Sequence, residues 1–468
     1  MKTSSKKFAL ILGPAVFLLT VLLPLNVFSF EARAAIGCVL WMCCWWITVP
    51  VGVAVTALLP IAINAIFGII PMGDVINNYS SEVVVLLLGA ELISISWGET
   101  GVDKRLSLKV LCLIGPSATG QIVAWFLLSA ALSAFLPKSV VCAIIVPIAA
   151  AMLKFLLPGD IMEHKISPII LASIVWGAGI GGIGTPHCGA MNLIAVEYLE
   201  DAIGHEFLYL DWIVRLVPFL VVLAVLDLGY ILLIRPKGLQ LHGTKEYFRN
   251  MYKQLPKMNA DEAWSLGLLI AATVLSFTRE LYAGYLSMLK PAYAFLICGI
   301  LTFIVPKKDG TPLLTWGSAE KKIGWNLLFL FAGGLAAGKL ISESGAAESL
   351  ALSLTTMNLD GGFATIFLIV SFTVLLAEVT SNTAAAAIAL PIVKSITQVL
   401  DINPVPYIFI ASAAFNVAYM LPTSIRAIPC GYGLAPSYLF KNGVVMTVLS
   451  ILAISAMGYL ALPLLSLS

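Results

Sequence analysis

Apolar runs long enough to cross a bilayer recur from one end of this chain to the other. The first is FALILGPAVFLLTVLLPLNVFSF at 8–30 and the last is VVMTVLSILAISAMGYLALPLL at 444–465. A helix rising 1.5 Å per residue needs roughly 20 apolar residues to span a hydrocarbon core about 30 Å thick. Composition agrees: 60% of residues are hydrophobic and 11% charged, with a mean hydropathy of +0.99. The expected fold is an all-α polytopic membrane protein of about 11 transmembrane helices with short loops. The first run follows MKTSSKK but is too long for a secretory h-region and lacks a clean small-x-small cleavage site, so it reads as a retained helix. The eight cysteines have no CxxC spacing and mostly sit in apolar runs, as small buried hydrophobes do.

Basic clusters at 2–7, 104–109, 235–257 and 307–322, placed on the cytoplasmic side, give a cytoplasmic N-terminus. The acidic EYLEDAIGHEFLYLD at 197–211 and the uncharged C-terminus then fall outside. That path closes only if two apolar stretches, roughly 118–157 and 360–400, enter and leave on one side as re-entrant hairpins. Each has polar breakers at its middle, FLPKSV at 135–140 and VTSNTA at 379–384. Each is followed by a Gly- and Pro-interrupted helix, GAGIGGIGTPHCGAMN at 177–192 and MLPTSIRAIPCGYG at 420–433. Hairpin plus broken helix, once from inside and once from outside, is the pattern of an inverted repeat with a midplane site. Aligning Pro147 with Pro391 sets Pro137-Lys138-Ser139 opposite Ser381-Asn382-Thr383, with AIIVP and AIALP behind them.

With TSNTAAAAIALPI at 380–392, preceded by Glu378, and IGGIGTP at 180–186 followed by Asn192, the chain resembles the divalent anion/sodium symporter family. WITVPVGVAVTALLPIAINAIFGIIP at 46–71 is similar to that family's early spans. The resemblance covers essentially the whole chain. It implies a homodimer in the lipid bilayer of the plasma (inner) membrane, each protomer a scaffold plus an elevator-type transport part. On this frame residues 1–117 hold the first scaffold helices and the start of repeat 1, and 118–234 the inner hairpin, broken helix and following span. Residues 235–261 form a basic cytoplasmic linker, 262–345 the second scaffold half, and 346–468 the outer hairpin, broken helix and last span. The substrate residues implied are Ser381, Asn382, Thr383, Lys138, Ser139, Thr185, Asn192, Thr423, Ser424 and Arg426. A sodium or charge-balancing region is implied at Ser133, Gly184, Thr380 and Asn382.

Departures from the family add positive charge. Lys138 stands where the inner tip's amide is expected, and Cys188-Gly189-Ala190-Met191-Asn192 replaces a Thr-Pro-Pro-Asn stretch, with His187 just before. In a gapped alignment Arg426 falls where the second broken helix's Asn is expected. Fixed cations in place of bound sodium would give sodium-independent exchange of C4-dicarboxylates or related di- and tricarboxylates. A sodium-coupled dicarboxylate or sulfate symporter is the alternative. Lys138 either meets substrate or snorkels, and its place near the tip favours the former. Arg426 either meets substrate or serves structurally, paired with Glu378 or with a helix C-terminus. His187 reads as a hydrogen-bonded core residue, and Trp41, Trp45 and Trp46 as an interface belt or scaffold surface.

Other function classes lack support in the residues. There is no HExxH, GxSxG, Walker A or paired intramembrane aspartate, so no enzyme constellation stands out. An anion channel would need a continuous pore, whereas two opposed hairpins build an occludable site. No cofactor, structural metal or nucleic-acid partner is expected.

Overall fold

The computed structural model describes residues 3–22, 28–112, 115–157, 159–236, 239–346, 349 and 359–466. Lys2, Lys237 and the last two residues, used above for orientation, lie outside the described residues. Among the described residues regular structure is helical, apart from two isolated β-bridges. Among the described residues six segments are long and apolar enough to cross a membrane: Met72–Thr100, Lys138–Leu156, Tyr209–Ile234, Ala260–Phe277, Trp325–Glu343 and Pro436–Leu465. Shorter apolar helices, including Ala118–Ser133, Ile166–Gly181 and Phe363–Val379, accompany them. They are short because each stops at a hairpin tip or a helix break.

The same order of elements occurs twice. In the first half, hairpin arms Ala118–Ser133 and Lys138–Leu156 precede a helix broken between Ile166–Gly181 and Ala190–Ile203, then Tyr209–Ile234. In the second, arms Phe363–Val379 and Asn382–Val399 precede a helix broken between Pro404–Asn416 and Ala427–Cys430, then Pro436–Leu465. Pro147 and Pro391, which aligned the halves in sequence, both lie inside the second arm of their hairpin. The halves interlock: Ala190–Ile203 packs on both the outer second arm and Pro404–Asn416.

Small residues permit the closest approaches, as expected where lipid offers no hydrophobic drive and packing must hold helices together. Gly177 and Gly181, one turn apart, face the first arm of the inner hairpin. A Cβ at Gly177 would stand 2.5 Å from the Phe126 carbonyl oxygen, and one at Gly181 would collide with that of Ala130. In the second half, Ala384, Ala385, Ala386 and Ala387 are all buried, and a Cβ at Gly334 would collide with that of Ala387. The tetra-alanine run after the polar tip is therefore a packing surface for Trp325–Glu343. That helix also closes an apolar cluster with Phe30–Thr48 and the early segments containing Ala57 and Ile63.

The glycine seam gives a direct test. Gly181→Leu is expected to lower stability by about 1–3 kcal/mol through overpacking, read as a fall in the thermal unfolding midpoint of the purified protein. Gly229→Leu, where a Cβ meets nothing within 4 Å, should leave it nearly unchanged. Equal shifts in the two variants would remove close approach as the cause.

Candidate functional site

Both hairpin tips and both helix breaks border one cavity of ≈ 700 Å³. Residues 137–140 reach it from the inner tip, 379–384 from the outer tip, and 188–191 and 423–426 from the breaks. Across from them, Trp46, Val49, Glu91, Lys322, Asn326 and Leu330 complete the wall.

Local chain chemistry makes both tips into donors. Pro137 starts the inner second arm at φ −54° and offers no side-chain acceptor, and the first helical bond of that arm runs from Val141 N–H to the Pro137 carbonyl. The N–H groups of Ser139 and Val140 are consequently left without helical partners. At the outer tip the Ser381 hydroxyl caps the helix by accepting from Ala384 N–H at 3.1 Å, which leaves its own O–H to donate. Two helix N-termini, each with positive dipole character, therefore border the same space.

Lys138 is only 8% exposed, and its Nζ donates to Asn416 Oδ1 at 2.9 Å. Among the described residues it has no carboxylate partner. Its stem crosses the bare backbone of Gly182, where a Cβ would collide with Lys138 Cε. Asn416 links the rest: its Nδ2 donates to Asn192 Oδ1 at 2.8 Å and to the Ser412 carbonyl at 2.9 Å, and its own carbonyl accepts from Asn382 Nδ2 at 3.1 Å. Asn192 in turn donates to the carbonyls of Gly182 at 2.7 Å and Thr185 at 2.9 Å, which the break of the helix leaves unpaired.

Arg426 is built differently. Its Nε donates to the Leu421 carbonyl at 2.6 Å, Nη1 to that of Ala418 at 3.0 Å, and Nη2 to Thr423 Oγ1 at 2.7 Å. Glu378 Oε2 lies 3.7 Å from Nη2 with both side chains almost wholly buried. That carboxylate also accepts from the N–H groups of Tyr419 at 2.5 Å and Met420 at 2.9 Å and from the Thr447 hydroxyl at 2.8 Å. Of the two readings of Arg426 open in the sequence, the structure contains the Glu378 pair, although the residue still borders the cavity.

Of the residues singled out by sequence, Lys138, Ser139, Thr380, Ser381, Asn382, Thr383, Thr423, Ser424 and Arg426 line the cavity. Thr185, Asn192, Ser133 and Gly184 do not. Thr185 Oγ1 donates at 2.5 Å to the Ala134 carbonyl, fastening the break to the inner tip. Asn192 is fully buried behind Asn416, Gly184 packs on Ala134, and Ser133 Oγ is buried without a hydrogen-bond partner among the described residues. His187 is stacked against Tyr209 and tilted on Phe295, with neither ring nitrogen hydrogen-bonded among the described residues, so aromatic packing holds it where a hydrogen bond was expected. Trp46 is 5% exposed and lines the cavity with its Nε1 on the Val53 carbonyl, so it is wall rather than belt.

Sequence reasoning missed Asn416 and Glu91. Each was visible as a lone polar group in an apolar run, FNVAYM and LGAELIS, a signal that presumes function inside a membrane. Glu91 Oε2 accepts from Gly324 N–H at 2.9 Å. Two wall residues, Val49 at φ 45° and Ser424 at φ 51°, adopt the left-handed region without being glycine, strain of the kind that collects at ligand sites.

The profile of the CitMHS family, described as "Citrate transporter", matches residues 39–414. The sodium-dependent dicarboxylate transporter SdcS of Staphylococcus saprophyticus is 30% identical over 474 residues, covering 97% of this chain and 91% of that protein. Its namesake in Staphylococcus aureus is 29% identical over 456 residues, covering 92% and 86%. In solved structures, the YdaH transporter of Alcanivorax borkumensis shares the fold with a TM-score of 0.54 at 12% identity, over 83% of this chain and 87% of that one.

The buried pair yields the second test. Glu378→Gln leaves the Arg426 charge without its counter-ion and is expected to cost about 3–5 kcal/mol. Glu378→Gln with Arg426→Gln, whose amide removes the charge but keeps N–H donors for the carbonyls of Leu421 and Ala418, should recover part of the loss in thermal unfolding. A double variant no more stable than the single one would mean that the pair does not hold the break.

Proposed function

The chain belongs to the CitMHS citrate transporter family, and from that premise we propose that it is a secondary transporter of small divalent anions, most simply C4-dicarboxylates or related di- and tricarboxylates. The observation that carries this reading is Lys138: a buried ammonium without a carboxylate partner among the described residues, at a hairpin tip on a ≈ 700 Å³ cavity. Arg426 has Glu378 and Lys322 has Glu99 as counter-charges, so among the described residues lining the cavity Lys138 is the cation left to meet a substrate carboxylate. The second carboxylate lies against the outer tip, where the O–H of Ser381, the Thr383 hydroxyl and unpaired helix N–H groups converge. Dipoles and one tethered charge bind a dianion while still letting it go.

In this reading the inner hairpin, the outer hairpin and the two broken helices move together between the two sides of the membrane, within a homodimer whose N-termini are cytoplasmic and C-termini external. Residues 118–234 and 346–468 contain the moving parts, and Lys322, a basic-loop residue on the cytoplasmic side in this reading, borders the cavity. Lys138 takes the place of a cation at the inner tip, which makes exchange without sodium the favoured coupling. A second reading, sodium-coupled symport, is favoured by the sodium dependence that the SdcS relatives are named for and by the oxygen donors Thr380, Thr383 and Asn382 on the outer side.

Uptake of labelled succinate and citrate into proteoliposomes, with and without sodium and with unlabelled dicarboxylate inside, tests both. Saturable counterflow without sodium is the expected result, strict sodium dependence would transfer the reading to symport, and ungated conductance would make the protein a channel. Lys138→Asn is expected to weaken dicarboxylate binding about 10- to 100-fold, the scale of one charged hydrogen bond. Asn382→Ala should abolish counterflow while leaving the folded protein intact by size-exclusion chromatography. Normal kinetics in both variants would remove the two tips from the site.

A further inference from the structure

The inner hairpin has a second face. Phe135 and Leu136, just before the Pro137 and Lys138 that border the main cavity, line an apolar slot of ≈ 270 Å³. Its other walls come from Trp97 and from Leu269, Ile270 and Val274 of helix Ala260–Phe277. Leu106 and Leu266 line this slot and also a second cavity of ≈ 610 Å³ that carries Arg105, Lys109, Lys253 and Lys257. The two spaces therefore adjoin across Leu106 and Leu266 as two ends of a groove, one apolar and the other basic. From Leu266 to Val274 the slot follows roughly 12 Å of helix, most of one leaflet of a hydrocarbon core about 30 Å thick.

The charges at the basic end are unequal. Arg105 is held by Glu262 at 2.9 Å and by the Pro256 carbonyl at 2.7 Å. Lys109, Lys253 and Lys257 belong to no ion pair among the described residues. At the apolar end Phe135, Ile270 and Val274 are 48%, 52% and 52% exposed, a surface that water does not favour.

We propose that this groove binds one anionic phospholipid, its headgroup phosphate on Lys109, Lys253 and Lys257 and an acyl chain in the slot against Phe135. Free lysines at the end of a lipid-facing crevice on the basic side of a membrane protein match an acidic headgroup in charge. A free phosphate would leave the apolar slot uncovered. A second copy of the chain, docked face to face, would set the same lysines against each other. The acyl chain then packs behind the tip that presents Lys138, so an occupied groove wedges the inner hairpin in its present position. That consequence rests on the carrier reading, whereas lipid binding does not.

Native mass spectrometry of the full chain, released from nanodiscs of phosphatidylcholine with phosphatidylglycerol, tests the binding. Wild type should retain phosphatidylglycerol selectively. Lys109→Gln/Lys253→Gln/Lys257→Gln should reduce that selectivity about 10- to 100-fold, and Ile270→Trp, which fills the slot, should reduce total lipid retention. Unchanged selectivity in the triple variant would overturn the proposal. So would displacement by millimolar glycerol phosphate, which marks a free-anion site, or an efficient disulfide between copies in Ile270→Cys, which marks a covered interface. In proteoliposomes the wild-type exchange rate should change with the phosphatidylglycerol fraction and that of the triple variant should not; equal rates throughout would overturn the wedge.

Discussion

The centre of this protein depends on the side chain of Asn416. It accepts from Lys138 of the inner hairpin, donates to Asn192 of the first broken helix, and shares its residue's carbonyl with Asn382 of the outer hairpin. A helix interrupted inside a bilayer exposes carbonyls and N–H groups that no water can reach, and each unpaired one is costly. Asn192 takes up the carbonyls freed at Gly182 and Thr185, and Asn416 orients Asn192. One amide thus makes three interruptions compatible with one another, and the cavity exists because those interruptions meet.

The two buried cations then divide the work. Arg426 closes its own helix break, donating to carbonyls at Leu421 and Ala418, with Glu378 anchoring the N–H groups of Tyr419 and Met420 between them. Its charge is structural and compensated. Lys138 shares a neutral amide and keeps two N–H donors for whatever enters the cavity. In the proposed carrier, a site with one compensated and one open cation would favour an anion without holding it too tightly to leave, and the positive ends of two helices would grade that attraction without adding a further full charge.

Much of the architecture was legible in the chain. Spans follow from apolar run length, and the twofold order of hairpin, broken helix and long helix follows from matching Pro137-Lys138-Ser139 to Ser381-Asn382-Thr383. The tips were legible because polar residues in apolar runs are conspicuous. What could not be read was direction. Thr185 and Asn192 look like ligands in sequence, yet their breaks turn them toward Ala134 and Asn416 and away from the cavity. Arg426 was ambiguous because whether Glu378 reaches it is a matter of a few ångströms between segments about 50 residues apart. Trp46 and Glu91 belong to the wall only because remote helices fold across the tips, a long-range relation that local pattern does not carry.

The tetra-alanine run beside the outer tip has one more implication. Where Gly334 meets Ala387, the two surfaces are made of hydrogens and methyl groups. Such surfaces have almost no rotamers to unlock and no hydrogen bonds to exchange, so a displacement along them crosses only shallow van der Waals ripples. A seam of leucines would interdigitate and catch. Composition here sets friction: in the proposed motion of the outer hairpin, the same small residues that let it approach Trp325–Glu343 would keep that approach reversible.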